Sequence, residues 1–109
     1  MEKIAERKLA ISAAGKSWNE LTVEIYYDLG GMNYFSGKQE RRGYYFSLTP
    51  ETVSHGMRTY ESYTGMKVLF QQVKRRTKKQ DALAVEKFGE LWDKYVPLYC
   101  EKYGIRIVC

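Results

Sequence analysis

Apolar and polar residues alternate without a break from Asn19 to Leu29. Leu21, Val23, Ile25 and Tyr27 fall on one side of an extended chain, and Thr22, Glu24, Tyr26 and Asp28 on the other. Successive side chains of a strand point to opposite faces, so the pattern predicts a β-strand with the first set in a core and the second toward water. Gly30-Gly31 ends it. Met32 to Ser36 reads as a short strand, the glycine-bounded stretch Gly37-Lys38-Gln39-Glu40-Arg41-Arg42-Gly43 as a polar loop, and Tyr44 to Leu48 as a returning strand. Tyr44, Phe46 and Leu48 share one face of that strand, with Tyr45 and Ser47 on the other. Together these segments predict a hairpin with a basic tip.

Residues 2–13 admit two readings. Their alanine content allows a helix, whereas Leu9 and Ile11 set between Lys8, Ala10 and Ser12 favour a strand, which the following Ala14-Gly15-Lys16-Ser17 turn supports. Thr49-Pro50-Glu51 has the composition of a helix start, with Thr49 as a cap and Pro50 at the first helical position, and predicts one short turn stopped at Gly56. Met57 to Thr64 is expected as a strand. Met66 to Val73 fits either a helical stripe or a strand with apolar residues on both faces. The Thr77-Lys78-Lys79-Gln80 capping box, which starts a new helix near residue 78, favours the strand.

The C-terminal third carries a different period. Leu83 or Ala84, then Phe88, Leu91, Trp92, Tyr95, Leu98 and Tyr99, form a stripe at helical spacing, with Glu86, Lys87, Glu90, Asp93 and Lys94 opposite. Pro97 removes one backbone donor and predicts a bend. Gly104 closes the helix, and Ile105 to Val108 is expected as a last short strand. A long apolar helix face has to be buried, and the apolar face of the sheet is its partner. The expected architecture is therefore a single α+β domain spanning residues 1–109, an antiparallel sheet of about five or six strands packed against one long C-terminal helix.

Composition sharpens this picture. A chain of 109 residues can bury a core without staples. Ten of its sixteen aromatic rings are tyrosine, which suits half-wet sheet surfaces. Cys100 and Cys109 match neither a disulfide framework nor a zinc site and are expected as reduced thiols, a Cys109 link to a second chain being the other reading. The charged N-terminus has no signal-peptide core and no window reaches the length of a membrane span, so a cytoplasmic protein without a membrane partner is expected.

The stretches GGMNYFSGKQERRGYYFSLTP and GMKVLFQQVKRRTKKQ resemble small uncharacterised proteins of gut anaerobes and their mobile genetic elements. The likeness covers about half of the chain and lies in a Tyr/Gly/Arg-rich hairpin. It implies no activity, no cofactor and no catalytic residue.

The positive charge is uneven. Residues 38–79 hold ten Lys/Arg against three acids, whereas the rest of the chain holds eight against ten. Two groups stand out as candidates for binding nucleic acid or another polyanion. Lys74, Arg75, Arg76, Lys78 and Lys79 surround the expected helix start, where free N–H groups and the helix dipole favour anions. Arg41 and Arg42 at the hairpin tip lie near Tyr34, Phe35, Tyr44 and Tyr45, and Tyr45 with Tyr26 on the wet face would offer rings for base stacking. The competing readings are a solvated basic surface and ordinary cross-strand tyrosine pairs. His55 stands alone beside a turn, without the partners of a metal or nucleophile site. Glu24 and Asp28 share a strand face but lie about 13–14 Å apart by strand rise, too far for paired-carboxylate chemistry. No catalytic, metal or cofactor residue is therefore assigned. The leading expectation is a small non-enzymatic binding module. The alternative is a protein–protein or self-associating adaptor that uses the tyrosine-bearing sheet face or a sheet edge.

Overall fold

The computed structural model describes residues 2–32, 37, 39–60 and 64–108. Among these residues, six strands form one antiparallel sheet: β1 (Glu2–Ala13), β2 (Glu20–Asp28), β5 (Gly43–Ser54), β6 (Met57–Tyr60), β7 (Met66–Gln72) and β8 (Ile105–Ile107). β3 (Gly31–Met32) and β4 (Gln39–Glu40) make a separate two-stranded ribbon. Two helices follow, α1 (Lys78–Glu86) and α2 (Phe88–Tyr103). The protein is thus α+β with a six-stranded antiparallel sheet, and residues 2–13 form a strand. The strand expected over Met32–Ser36 falls mostly on residues 33–36, which lie outside the described residues, as do Lys38 and residues 61–63 of the strand expected over Met57–Thr64.

β2 is central, with β1 on one side and β5 on the other. β5 is long enough to serve two neighbours along its second edge. Gly43 to Leu48 pair with β7, and Glu51 to Ser54 pair with β6. This corrects the helical turn expected at Thr49-Pro50-Glu51, because the segment is continuous strand. Pro50 lies opposite Leu21 of β2, in the gap where β7 has left β5 and β6 has not begun. A residue without an N–H is tolerated at such a break in the ladder. Glu51 is buried and meets Arg58 across the β5–β6 hairpin. The turn itself is His55-Gly56, both at positive φ (52° and 77°), as a tight hairpin requires.

Leu21, Val23, Ile25 and Tyr27 join Tyr44, Phe46 and Leu48 in the core as expected, but of the set expected toward water Thr22 and Tyr26 are buried too, on the other face of the sheet. The helices cover that face, although as two segments and not as one long helix. Lys87 breaks the run with φ −83° and ψ −3°, and its N–H bonds back to Ala84 O at 3.1 Å, a tight final turn. Gly89, a weak helix former, follows closely. Pro97, by contrast, sits within continuous helix. Both it and Asp93, whose carbonyl it leaves without a donor, are exposed, so water can take the vacancy.

Ring packing joins helix to sheet. Phe46 meets Phe88 edge-on at 6.0 Å and Tyr95 at 5.9 Å. Trp18, buried beneath the C-terminal end of α2, meets Tyr103 at 5.8 Å. Leu91, Val96 and Tyr99 are buried, while Leu98 is 61% exposed and Leu83 half exposed, so these two leave the expected stripe. Gly104 caps α2 at φ 65°, and β8 then returns to pair with Ile11, Ser12 and Ala13 of β1.

The opposite sheet face carries paired charges. Lys8 lies 3.5 Å from Glu6 and 3.8 Å from Glu20, and Arg58 contacts both Glu20 and Glu51. Tyr26 and Tyr45 stack there with centroids 5.4 Å apart.

Candidate anion-binding site

Four chain segments converge at one end of the sheet. The register places Glu2, the start of β1, opposite Tyr27 near the end of β2. Tyr27 in turn faces Tyr44, and Gly43 at the start of β5 faces Gln72 at the end of β7. The loop before β5 supplies Arg42, and the loop after β7 supplies Lys74, Arg75 and Arg76 just ahead of α1. Arg42, Lys74, Arg75 and Arg76 line one cleft of about 490 Å³ together with Glu2, Tyr27 and Leu29.

Arg42 holds the cleft together. Its Nε donates to Leu29 O at 3.2 Å and its Nη1 to Lys74 O at 3.0 Å, which ties the ends of β2 and β7. A guanidinium carries five N–H donors in a fixed fork, so the rest of the fork remains for an incoming acceptor. Lys74 and Arg75 are exposed and make no ion pair among the described residues.

Arg76 differs. Its Nη2 lies 2.8 Å from Asp81 Oδ2 and its Nε 3.1 Å from Oδ1, and it also meets Glu2 and lies 6.0 Å above the Tyr27 ring. The hydrogen bond to Asp81 is the main cause of a guanidinium pKa above its ordinary value. Arg76 lines the cleft with its charge already matched, and it fastens β1 and α1 to the same corner.

The α1 terminus is built as its sequence dictates. Thr77 caps it, and Thr77 Oγ1 accepts from Gln80 N at 3.1 Å. Lys78 and Lys79 are exposed on its first turn and do not line the cleft. Asp81 favours the positive end of the helix dipole. Its pKa is lowered by Arg76 first and by the Tyr44 hydroxyl as well, against an opposing effect of burial.

The remaining candidates go elsewhere. Arg41 is exposed outside the cleft, and its carbonyl accepts the Tyr45 hydroxyl. Tyr45, expected to present its ring to water with Tyr26, is buried on the far face of the sheet, where each ring covers the other. Stacking on Tyr45 is therefore corrected to an internal cross-strand pair. Arg58 and Lys67, two more of the ten central bases, also lie on that face, Arg58 against two carboxylates and Lys67 above Tyr45 at 5.3 Å. Tyr34 and Phe35 lie outside the described residues.

His55 is an exposed turn residue. Cys100 is half-buried, and burial raises its thiol pKa. Among the described residues, no three His, Cys, Asp or Glu side chains group to hold a metal, and no helix is long and apolar enough to cross a membrane. Tyr27, Leu29 and Glu2 were not assigned to a site from sequence. Tyr27 reads there as a core residue, and only strand register carries Glu2 to it. No protein-family model, curated protein or solved structure matches the chain, so its chemistry is read from its own residues.

Proposed function

We propose that the protein is a small non-enzymatic module that binds the phosphate backbone of nucleic acid through the cleft formed by Arg42, Lys74, Arg75 and Arg76. The observation that carries this reading is the convergence of these four bases on a single cleft, with Lys74 and Arg75 left without an acid. Cations clustered without matching acids attract a polyanion and release its counterions on binding. The Arg42 fork adds donors whose planar geometry suits phosphate oxygens. Lys78 and Lys79, on the adjoining helix turn, extend the basic surface for a longer strand. The binding is driven by backbone charge, since the tyrosine pair that would have read bases is internal.

The test is fluorescence anisotropy with a labelled random single-stranded oligonucleotide at low salt. Binding should fall steeply as salt rises and should weaken when Lys74 and Arg75 are replaced by Ser. Absence of binding, or equal binding by the double variant, defeats the proposal.

A second reading has its own observation. β8 is a terminal strand of the sheet, and Ile107 and Val108 beside its open edge are 46% and 51% exposed. An open edge with apolar side chains pairs readily with another chain. The outer edge of β1, in contrast, carries Lys3, Glu6, Arg7 and Lys8, which discourage such pairing. A mass that rises with concentration in light scattering, without oligonucleotide binding, favours this adaptor role.

A further inference from the structure

We propose that Glu2 is a built-in competitor for the basic cleft: its carboxylate holds the place on Arg76 that a phosphate takes, and binding exchanges one anion for the other. This regulation rests on the reading of the cleft as a phosphate site. The two acids that meet Arg76 take different parts of its guanidinium. Nε and Nη2 turn to the Asp81 carboxylate, at 3.1 and 3.0 Å for Nε and 2.8 Å for Nη2. Nη1 is left for the carboxylate of Glu2. Glu2 lines the cleft, whereas Asp81 does not.

The two contacts differ in strength. Asp81 is 23% exposed, is held through two oxygens and also accepts the Tyr44 hydroxyl, so it stays on Arg76. The Glu2 side chain is 65% exposed, and an ion pair so open to water contributes little to the fold. Its charge acts on the cleft instead. A guanidinium N–H donates to a carboxylate oxygen or to a phosphate oxygen with the same geometry, so the Glu2 carboxylate marks a seat that phosphate also fits. Pairing with Tyr27 fixes the Glu2 backbone beside this seat, and a rotamer change alone takes the carboxylate out. With Glu2 in place the cleft offers Arg42, Lys74 and Arg75. With Glu2 displaced, Nη1 of Arg76 joins them.

Two probes test the exchange on the full chain: the labelled single-stranded oligonucleotide, read by anisotropy, and inorganic pyrophosphate, read by NMR shifts of the ¹⁵N-labelled protein. Glu2→Gln should bind both about fivefold more tightly than the parent, the equivalent of one exposed ion pair. Glu101→Gln makes the same change of net charge on the exposed side of α2, outside the cleft. It should alter either affinity by less than about twofold, because distant surface charges are screened. Equal binding by the parent and Glu2→Gln, or an equal gain from Glu101→Gln, overturns the exchange, and oligonucleotide binding that persists in the parent then leaves the nucleic-acid reading standing. A Glu2→Gln gain for pyrophosphate without oligonucleotide binding by either protein supports the exchange and overturns the nucleic-acid reading. No binding of either probe by either protein overturns both.

Discussion

The hydroxyl of Tyr44 donates to the carboxylate of Asp81, 37 positions further along the chain, and so joins the start of an interior strand, β5, to the first turn of α1. Tyr44 is fully buried. Asp81→Ala strands that phenol and frees Arg76, and should cost about 1–3 kcal/mol, the penalty of an unpaired buried polar group. Tyr44→Phe removes the donor together with its need for a partner, leaves Arg76 on Asp81, and should cost less, about 0.5–1.5 kcal/mol. Urea unfolding of both variants checks the order.

Acid should act on two carboxyls in opposite senses. Asp81 is held below its ordinary range by Arg76 and Tyr44, so its contribution is present above the unfolded value of about 3.9 and is lost as pH falls through the lower folded value. The Asp81→Ala deficit should therefore shrink as pH falls below the unfolded value of about 3.9. Glu24 is raised, chiefly by burial on the polar sheet face, so the unfolded chain ionises first and stability is lost as pH rises through that window. Glu24→Gln should raise the melting temperature at pH 7, and the gain should fade below about pH 4. Thermal melts across this range read both effects.

Leu91 and Leu98 belong to one sequence stripe, yet the first is 9% exposed and the second 61%. Leu91→Asp places a charge in the helix–sheet interface and forfeits about 1.5–3 kcal/mol of burial before the charge is counted. No cooperative melt is expected for it. Leu98→Asp should stay within about 0.5 kcal/mol of the parent, as surface changes do. Equal melts for the two would show that the helix face was assigned wrongly.

His55 holds a left-handed conformation at φ 52°, which is uncommon for any residue with a side chain, although asparagine, aspartate and histidine adopt it more often than the rest. His55→Asn gives the Asn-Gly pair favoured in such hairpins and should stabilise by up to about 1 kcal/mol. A higher denaturation midpoint with an unchanged slope is the expected readout.

For the proposed interface, each phosphate contact contributes about 0.7 to the slope of log affinity against log salt on single strands. Losing Lys74 and Arg75 together should lower that slope by about 1.4. Lys94→Ser, on the exposed side of α2, should leave it unchanged. Equal slope changes from both sites would indicate general attraction to a basic protein.

Local chemistry alone determined much of this fold. The period-2 run from Leu21 to Tyr27, the Thr77 cap and the Gly104 stop each act through their own backbone or near neighbours, so they are visible in a linear reading. The basic residues at 74–76 were equally visible. What needed tertiary structure was every property shared between distant residues. Pro50 looks like a helix start until β2, β6 and β7 claim its strand, and Lys87 looks like mid-helix until the two helices settle separately against the core face. Likewise, Tyr45 loses its wet position only when Tyr26 stacks on it, and Arg76 loses its free charge only when Asp81 and Glu2 arrive. A local propensity is worth a fraction of a kcal/mol to about 1 kcal/mol per residue, whereas strand pairing, burial and charge matching act on whole segments at once. Pairing register therefore decided which of the ten central bases share a cleft and which answer acids on the opposite face.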